Sequence, residues 1–235
     1  MRLLFLVFIA SICSHAPAQA QDKSKRTCRI LFLAAPADAP HTLFLSDGST
    51  VQEVELPSMN LSKVYQLGAG DITLTLLAAM PDPKVPLPVN APKAAVADSL
   101  HDIYLLVGPD PANPVAPVRF QVINANVDGF RNGQLLWFNL SPHRIGGKIG
   151  SETLNLAANA KAILKAPSTT SGDYNVKIGY VPAGTQRAEP LCETVWQHDP
   201  KIKNIVFVVP VADSRIPRIM GFPDYREAEA KPAKD

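Results

Sequence analysis

The sequence predicts an all-β protein, an antiparallel β-sandwich of Ig-like type preceded by a signal peptide, and three observations predict it. Twenty-two prolines in 235 residues punctuate the chain at intervals too short for many long helices. The apolar segments between them are short and rich in Val, Ile, Leu, Phe and Thr, side chains that suit a pleated surface. Turn signals separate these segments at spacings near ten residues, the signature of a sandwich or barrel.

The N-terminus comes first. Met1–Ala20 (MRLLFLVFIASICSHAPAQA) places Arg2 before an apolar run from Leu3 to Cys13 and ends in Ala18-Gln19-Ala20, two small residues bracketing one position. A charged, then apolar, then small-residue order is that of a secretory signal. A spanning helix takes about 20 apolar residues, and this run has eleven, so a membrane anchor fails on length. Ile12 is too large for the position before a lipidated cysteine, which sets aside a lipoprotein reading of Cys13. Cleavage near Ala20 is therefore expected, leaving 215 residues, extracytoplasmic (periplasmic or secreted) and without a membrane span after processing. Without Arg2 the chain has 22 basic and 21 acidic residues, and so near-neutral a balance carries no electrostatic footprint for nucleic acid.

Residues 21–26 read as a short leader, and strands follow. Arg29–Ala34 and His41–Ser46 are apolar runs joined by the turn-rich Ala35-Pro-Ala-Asp-Ala-Pro40. Asp47-Gly48 marks a hairpin into the alternating Val51–Leu56. Asp71–Leu77 alternates cleanly, Ile72, Leu74 and Leu76 inward against Thr73 and Thr75 outward, which means one wet face, one buried face and antiparallel pairing. Residues 80–92 (MPDPKVPLPVNAP) are too proline-rich for a helix or a central strand and read as an extended linker or crossover. A helical turn around Lys93–Leu100 is the one helix expected. Ile103–Val107, Val118–Ala125, Gln134–Leu140, Leu154–Leu156, Ala162–Lys165, Tyr174–Val181, Glu193–Trp196 and Ile205–Val211 complete the strands, with turns at Asp128-Gly129, Asn132-Gly133, Ser171-Gly172-Asp173 and Pro182-Ala183-Gly184. One sandwich over residues 27–212, with a pseudo-repeated layout as the alternative, and a tail over 213–235, frayed from Glu227 onward, follow from this reading.

Processing leaves two cysteines, Cys28 and Cys192. An even pair in an oxidising compartment is a disulfide candidate, and loop closure over so long a span is worth roughly 4–5 kcal/mol. Two buried free thiols are the alternative. A weak internal echo is also present: Asn60-Leu-Ser62 before Thr73-Leu-Thr-Leu76, and Asn139-Leu-Ser141 before Thr153-Leu-Asn-Leu156, each with glycines between.

Few residues suggest chemistry. Ile145-Gly-Gly-Lys-Ile-Gly150 lacks the spacing, the Ser or Thr and the following helix of a phosphate loop, and reads as a tight glycine hairpin. His41, His101, His143 and His198 stand in no paired spacing, so no metal site and no cofactor are expected. Asp98, His101 and Asp102 cluster locally and read as a solvated lead-in to the next strand. No Gly-x-Ser-x-Gly elbow or cysteine-nucleophile signature occurs. Trp137, Phe138, Tyr174, Tyr180 and Trp196 lie on or beside strands, and an exposed row of rings is one way to hold sugar or peptide. Trp137, Tyr174 and Tyr180 are the candidate binding residues. Trp137 and Phe138 are adjacent and face opposite sides of their strand, with burial of both Trp residues in the core as the competing reading.

Phe130-x-x-Gly-Gln-Leu-x-x-x-Asn-Leu-Ser141, Ile145-Gly-Gly-Lys-Ile-Gly150 and the late Asp213-x-Arg215 carry a resemblance. The stretch from Asp102 to Asp213 resembles a type of uncharacterised secreted bacterial protein with a β-sandwich domain. The resemblance covers about half of the mature chain and implies a fold and a location, without an activity or a site. The expected function is a non-catalytic binding or structural module outside the cytoplasm, its partner an envelope polymer or another extracytoplasmic protein. A carbohydrate-binding or adhesin-like module and an envelope-polymer hydrolase are the alternatives.

Overall fold

Sixteen strands and no helix make up residues 26–125, 129–211 and 214–225, which the structure, a computed structural model, describes. The expected signal peptide, leader residues 21–25, Asp128, Asp213 and the terminal segment 226–235 lie outside the described residues. In chain order the strands are β1 (Arg26–Phe32), β2 (Thr42–Ser46), β3 (Val51–Glu55), β4 (Tyr65–Leu67), β5 (Ile72–Leu77), β6 (Lys93–Val96), β7 (Asp102–Pro109) and β8 (Val118–Asn124). Then come β9 (Leu135–Asn139), β10 (Arg144–Ile149), β11 (Glu152–Leu156), β12 (Lys161–Leu164), β13 (Gly172–Val181), β14 (Glu189–His198), β15 (Lys203–Val209) and β16 (Arg218–Asp224).

Two kinds of apolar pattern sort these strands into layers. β1, β7, β9 and β15 are near-continuous apolar runs (RILF, IYLLV, LLWF, NIVFVV) and are buried on both faces. A strand buried on both faces needs a covering layer on each side. β3, β11 and β13 instead alternate buried with exposed positions, as outer-layer strands do. The continuous runs are the central strands of two inner sheets, β4-β1-β7-β8 and β12-β9-β15-β16; two outer sheets, β3-β2-β5-β6 and β11-β10-β13-β14, cover them. Three apolar clusters lie between the four layers. Ile30, Leu45, Leu74 and Leu105 join the first outer sheet to its inner sheet. Leu31, Leu106, Leu136, Phe207 and Phe222 join the two inner sheets. Trp137, Ile145, Ile178 and Val206 join the second inner sheet to its outer one.

The two halves share one topology, each strand of β1–β8 matching the strand eight places later. β1 pairs antiparallel with β4 and parallel with β7, as β9 does with β12 and β15. β2 pairs with β3 and β5, as β10 does with β11 and β13. The repeat is therefore real at the level of topology, but the Asn-Leu-Ser echo pairs the wrong elements. Thr73–Leu76 lies on β5 and Thr153–Leu156 on β11, whereas the counterpart of β5 is β13.

Several expectations are corrected. In place of a single sandwich the described residues form four sheets stacked as two sandwiches, the repeated layout held as the alternative, because four doubly buried runs cannot be covered by one partner sheet. Each inner sheet contains a parallel pair, so pairing is mixed rather than purely antiparallel. The expected helical turn at Lys93–Leu100 begins as β6, whose pairing with β5 overrides the helix propensity of its alanines. Residues 80–92 join β5 to its antiparallel neighbour β6, which makes them a long hairpin connection and not a crossover. The glycine run is itself strand β10, with Gly150 alone in the turn to β11. A Cβ on Gly147 would lie 2.0 Å from the Lys177 carbonyl oxygen, so glycine is what lets β13 approach. Residues 218–224, placed in the tail, form edge strand β16, a position that tolerates Pro223.

The Cys28–Cys192 bridge is not formed; both are free thiols. Cys28 is fully buried in the first core cluster and Cys192 packs at the third, with the inner-sheet interface between them. A disulfide needs Cα atoms within about 7 Å, a separation that this layering does not give. Burial, and then the nearby Asp102 charge, raise the Cys28 pKa far above the ordinary thiol range.

A candidate ligand cleft at the open edge of the second sandwich

In the first sandwich the edge strands β6 and β8 approach each other and close that side. Phe120 and Val122 of β8 pack on its core beside the fully buried Val118. The matching strands of the second sandwich, β14 and β16, instead bound a cleft of about 510 Å³. The cause lies in the strand sequence. Val122 sits opposite Leu105 on β7, while its counterpart opposite Val206 on β15 is Gly221. A Cβ built on Gly221 meets nothing within 4 Å. Ile219, Gly221 and Pro223, alternate residues of β16, thus leave room where a valine and a phenylalanine fill the first half.

Aromatic and apolar groups line this space. Trp196 and Tyr174 lie side by side on β14 and β13 and are half-buried, with rings edge to face at 6.3 Å. Behind Trp196 the indole of Trp137 is stacked at 6.0 Å and 14°, itself 0% exposed. Leu135 and Val206 complete the apolar wall, with Cys192 and the exposed Val195 on the β14 side. Burial pushes the Tyr174 phenol up to about 12, so it stays a neutral hydroxyl at physiological pH.

A second, polar compartment of about 420 Å³ continues the cleft, sharing Gln197, Asn204 and Pro223 with the first. Ser171, His198, Asp199 and Tyr225 line it. His198 is 2% exposed, and its Nε2 has no hydrogen-bond partner among the described residues. The two compartments adjoin at their three shared residues, so the groove they bound is aromatic on one side and hydrogen-bonding on the other. Across both, Asp199 is the one charged side chain in the lining.

The sequence-derived candidates divide around this groove. Tyr174 lines it, and Trp137 supports it from behind. Tyr180 is at the far end of β13, 6% exposed and tilted against His143 at 5.4 Å. Phe138 is buried like Trp137, because the sheet that holds them is covered on both faces. Trp196 and Gly221 are what the sequence-based choice left out. The signal available for Gly221 was a lone glycine inside an Ile-Met-x-Phe strand pattern, which marks close backbone approach or vacant space.

Elsewhere the polar clusters are structural. Asp98 accepts from the Gly70 amide at 2.8 Å, and Asp102 accepts from the Thr27 hydroxyl at 2.7 Å. Arg26, 1% exposed, donates to the carbonyls of Gly68, Gly70, Ala97 and Leu100 and seals one end of the first sandwich. Asn139 donates to the carbonyls of His143 and Ala157 and accepts from Ser141. Among the described residues no group of three or more His, Cys, Asp or Glu could hold a metal ion, and no helix is long and apolar enough to cross a membrane.

The fold and site define a duplicated, four-layered β-sandwich protein with an edge cleft in its second half. No protein-family model matches the chain, and no curated protein gives a significant match.

Proposed function

We propose that this is an exported, non-catalytic binding module, that each half is an Ig-like sandwich, and that the β14/β16 cleft is the ligand site. One observation carries the proposal: the same edge is closed by β6 and β8 in the first half and open in the second. An aromatic, half-buried surface left open where the twin fills it is costly to keep, since burying such rings stabilises a fold by roughly 1.5–3 kcal/mol each. Binding a ligand gives that exposure a use. The size of each compartment falls in the range typical of ligand sites, about 300–1,000 Å³. The signal-like Met1–Ala20 segment supports export. Binding is favoured over polymer hydrolysis because glycoside hydrolysis uses a pair of carboxylates, and the described lining carries Asp199 alone.

The test is retention of the processed chain on a panel spanning peptidoglycan, neutral and anionic polysaccharides and immobilised extended peptides. A Gly221→Val variant is run alongside. The new side chain has free space and restores the residue type found in the closed half. At least one panel member retaining the wild type and releasing Gly221→Val is the expected result. Equal retention of both, or none, overturns the cleft as the site.

A further inference from the structure

The chemistry of the groove lining narrows the ligand class, an inference that rests on the cleft being the binding site. The lining has no Lys or Arg to pair with a phosphate or a carboxylate, and its one carboxylate, Asp199, lies at the polar end, so the aromatic end offers no charge to any ligand. A wholly apolar ligand fits poorly too. Gln197, Asn204 and Ser171 bring amide and hydroxyl groups to one end, and desolvating them without a partner costs roughly 1–3 kcal/mol each. His198 already lacks a partner for a buried ring nitrogen there. A neutral molecule with one apolar face and a rim of hydroxyls satisfies both ends. A sugar ring has that character: its axial C–H groups pack on an aromatic face while its equatorial hydroxyls donate and accept.

We propose that the β14/β16 groove binds a neutral saccharide, one ring laid against Trp196 beside Tyr174 and the next held by Gln197, Asn204 and His198. The rigid backing suits this role. Trp196 is stacked on Trp137 and packed at right angles to Tyr174, so little side-chain freedom is lost when a ligand stacks on it.

Trp137 and Trp196 are the two tryptophans of the chain, so indole fluorescence reads the site directly. The experiment titrates the processed protein with soluble neutral tetrasaccharides (β-1,4-glucan, β-1,4-N-acetylglucosamine, α-1,4-glucan and β-1,4-mannan), with a uronic-acid tetrasaccharide and with an extended apolar hexapeptide. At least one neutral tetrasaccharide should saturate and shift the emission, while the uronic acid and the peptide leave it unchanged. Trp196→Ala should weaken the binding about tenfold or more, measured by calorimetry, and Gln197→Ala by several-fold. Gly221→Val guards against a Trp196→Ala variant that fails to fold, and should weaken binding to the same extent. Saturation by the peptide or the uronic acid instead overturns the saccharide assignment, as does neutral-sugar binding that survives both Gly221→Val and Trp196→Ala. If no tetrasaccharide binds while retention on the panel still depends on Gly221, the ligand class is wrong and the cleft stands. If retention is also independent of Gly221, both fail.

Discussion

The guanidinium of Arg29, on β1 of one inner sheet, is paired with the carboxylate of Asp224, on β16 of the other, and the two side chains are 8% and 0% exposed. The second carboxylate oxygen accepts from the Tyr104 hydroxyl at 2.7 Å. Arg29 also donates to the carbonyls of Ser62 at 2.7 Å and Tyr225 at 2.9 Å. The contact between the two sandwiches is thus an apolar layer with one buried, well-satisfied ion pair set into it. That pair also holds β16, the strand whose other face forms the cleft wall.

Removing one partner of such a pair leaves a buried charge uncompensated, which costs about 3–5 kcal/mol. Asp224→Ala is expected to lower the unfolding free energy by that amount in urea denaturation. Tyr104→Phe removes one hydrogen bond to the same carboxylate and is expected to cost about 1–2 kcal/mol. A loss under 1 kcal/mol for Asp224→Ala would show that the pair does not hold the inner sheets together.

Asp47 sets an acid limit on the first sandwich. Burial raises its pKa, but the amides of Thr50, Gly68 and Ser49 and the Ser49 hydroxyl outweigh burial and bring it to about 2 from 3.8. A carboxylate with a depressed folded pKa contributes stability that is fully present above its unfolded value and is lost as pH falls through the folded one. The contribution is about 2 kcal/mol. Wild type should therefore exceed Asp47→Asn in stability at pH 6, and the gap should close between pH 4 and pH 2. A gap independent of pH over that range contradicts the assignment.

The thiols should react in sequence. Cys192 is partly exposed at the cleft and Cys28 is fully buried, and burial raises the pKa of both. Alkylation of the native protein at pH 8.5 is expected to label Cys192 slowly and Cys28 not at all, with both labelled in denaturant and no change in mass on reduction. A native protein that resists labelling at both sites until reduced would restore the bridge.

Gly147→Ala tests the close approach of β10 and β13. The added Cβ would fall 2.0 Å from the Lys177 carbonyl oxygen and 2.8 Å from the Ile178 Cα, both backbone atoms. Overpacking without a flexible neighbour is expected to cost about 3 kcal/mol. Gly221→Ala, on a strand with free space, is expected to change stability by less than 1 kcal/mol, read from the same denaturation curves.

Much of the strand pattern was legible because each signal was local. Ile72, Leu74 and Leu76 alternate with threonines and form a strand, although Thr75, expected outward, is buried, and Asp47-Gly48 marks its own hairpin. β4, β6, β10 and β16 were missed because their identity is decided by partners, β4 for instance by its three-residue pairing with β1. Lys-Ala-Ala-Val is a strand since β5 lies beside it, and a glycine run is a strand since β13 packs close. The four-layer arrangement was present in the contrast between continuous runs such as Ile103–Val107 and alternating ones such as Val51–Glu55. The cleft was less legible, because it depends on a residue that is missing a side chain, Gly221, opposite Val206 fifteen positions earlier.

The most direct test of an aromatic cleft open in one sandwich and closed in its twin is acrylamide quenching of the two single-tryptophan variants. Trp137→Phe leaves only Trp196, which lines the cleft, and Trp196→Phe leaves only Trp137, which is 0% exposed behind it. Emission from Trp196 should be red-shifted and quenched several-fold more strongly than emission from Trp137. Equal, weak quenching of both indoles would mean that β14 and β16 close that edge in solution, and the proposed site would not exist.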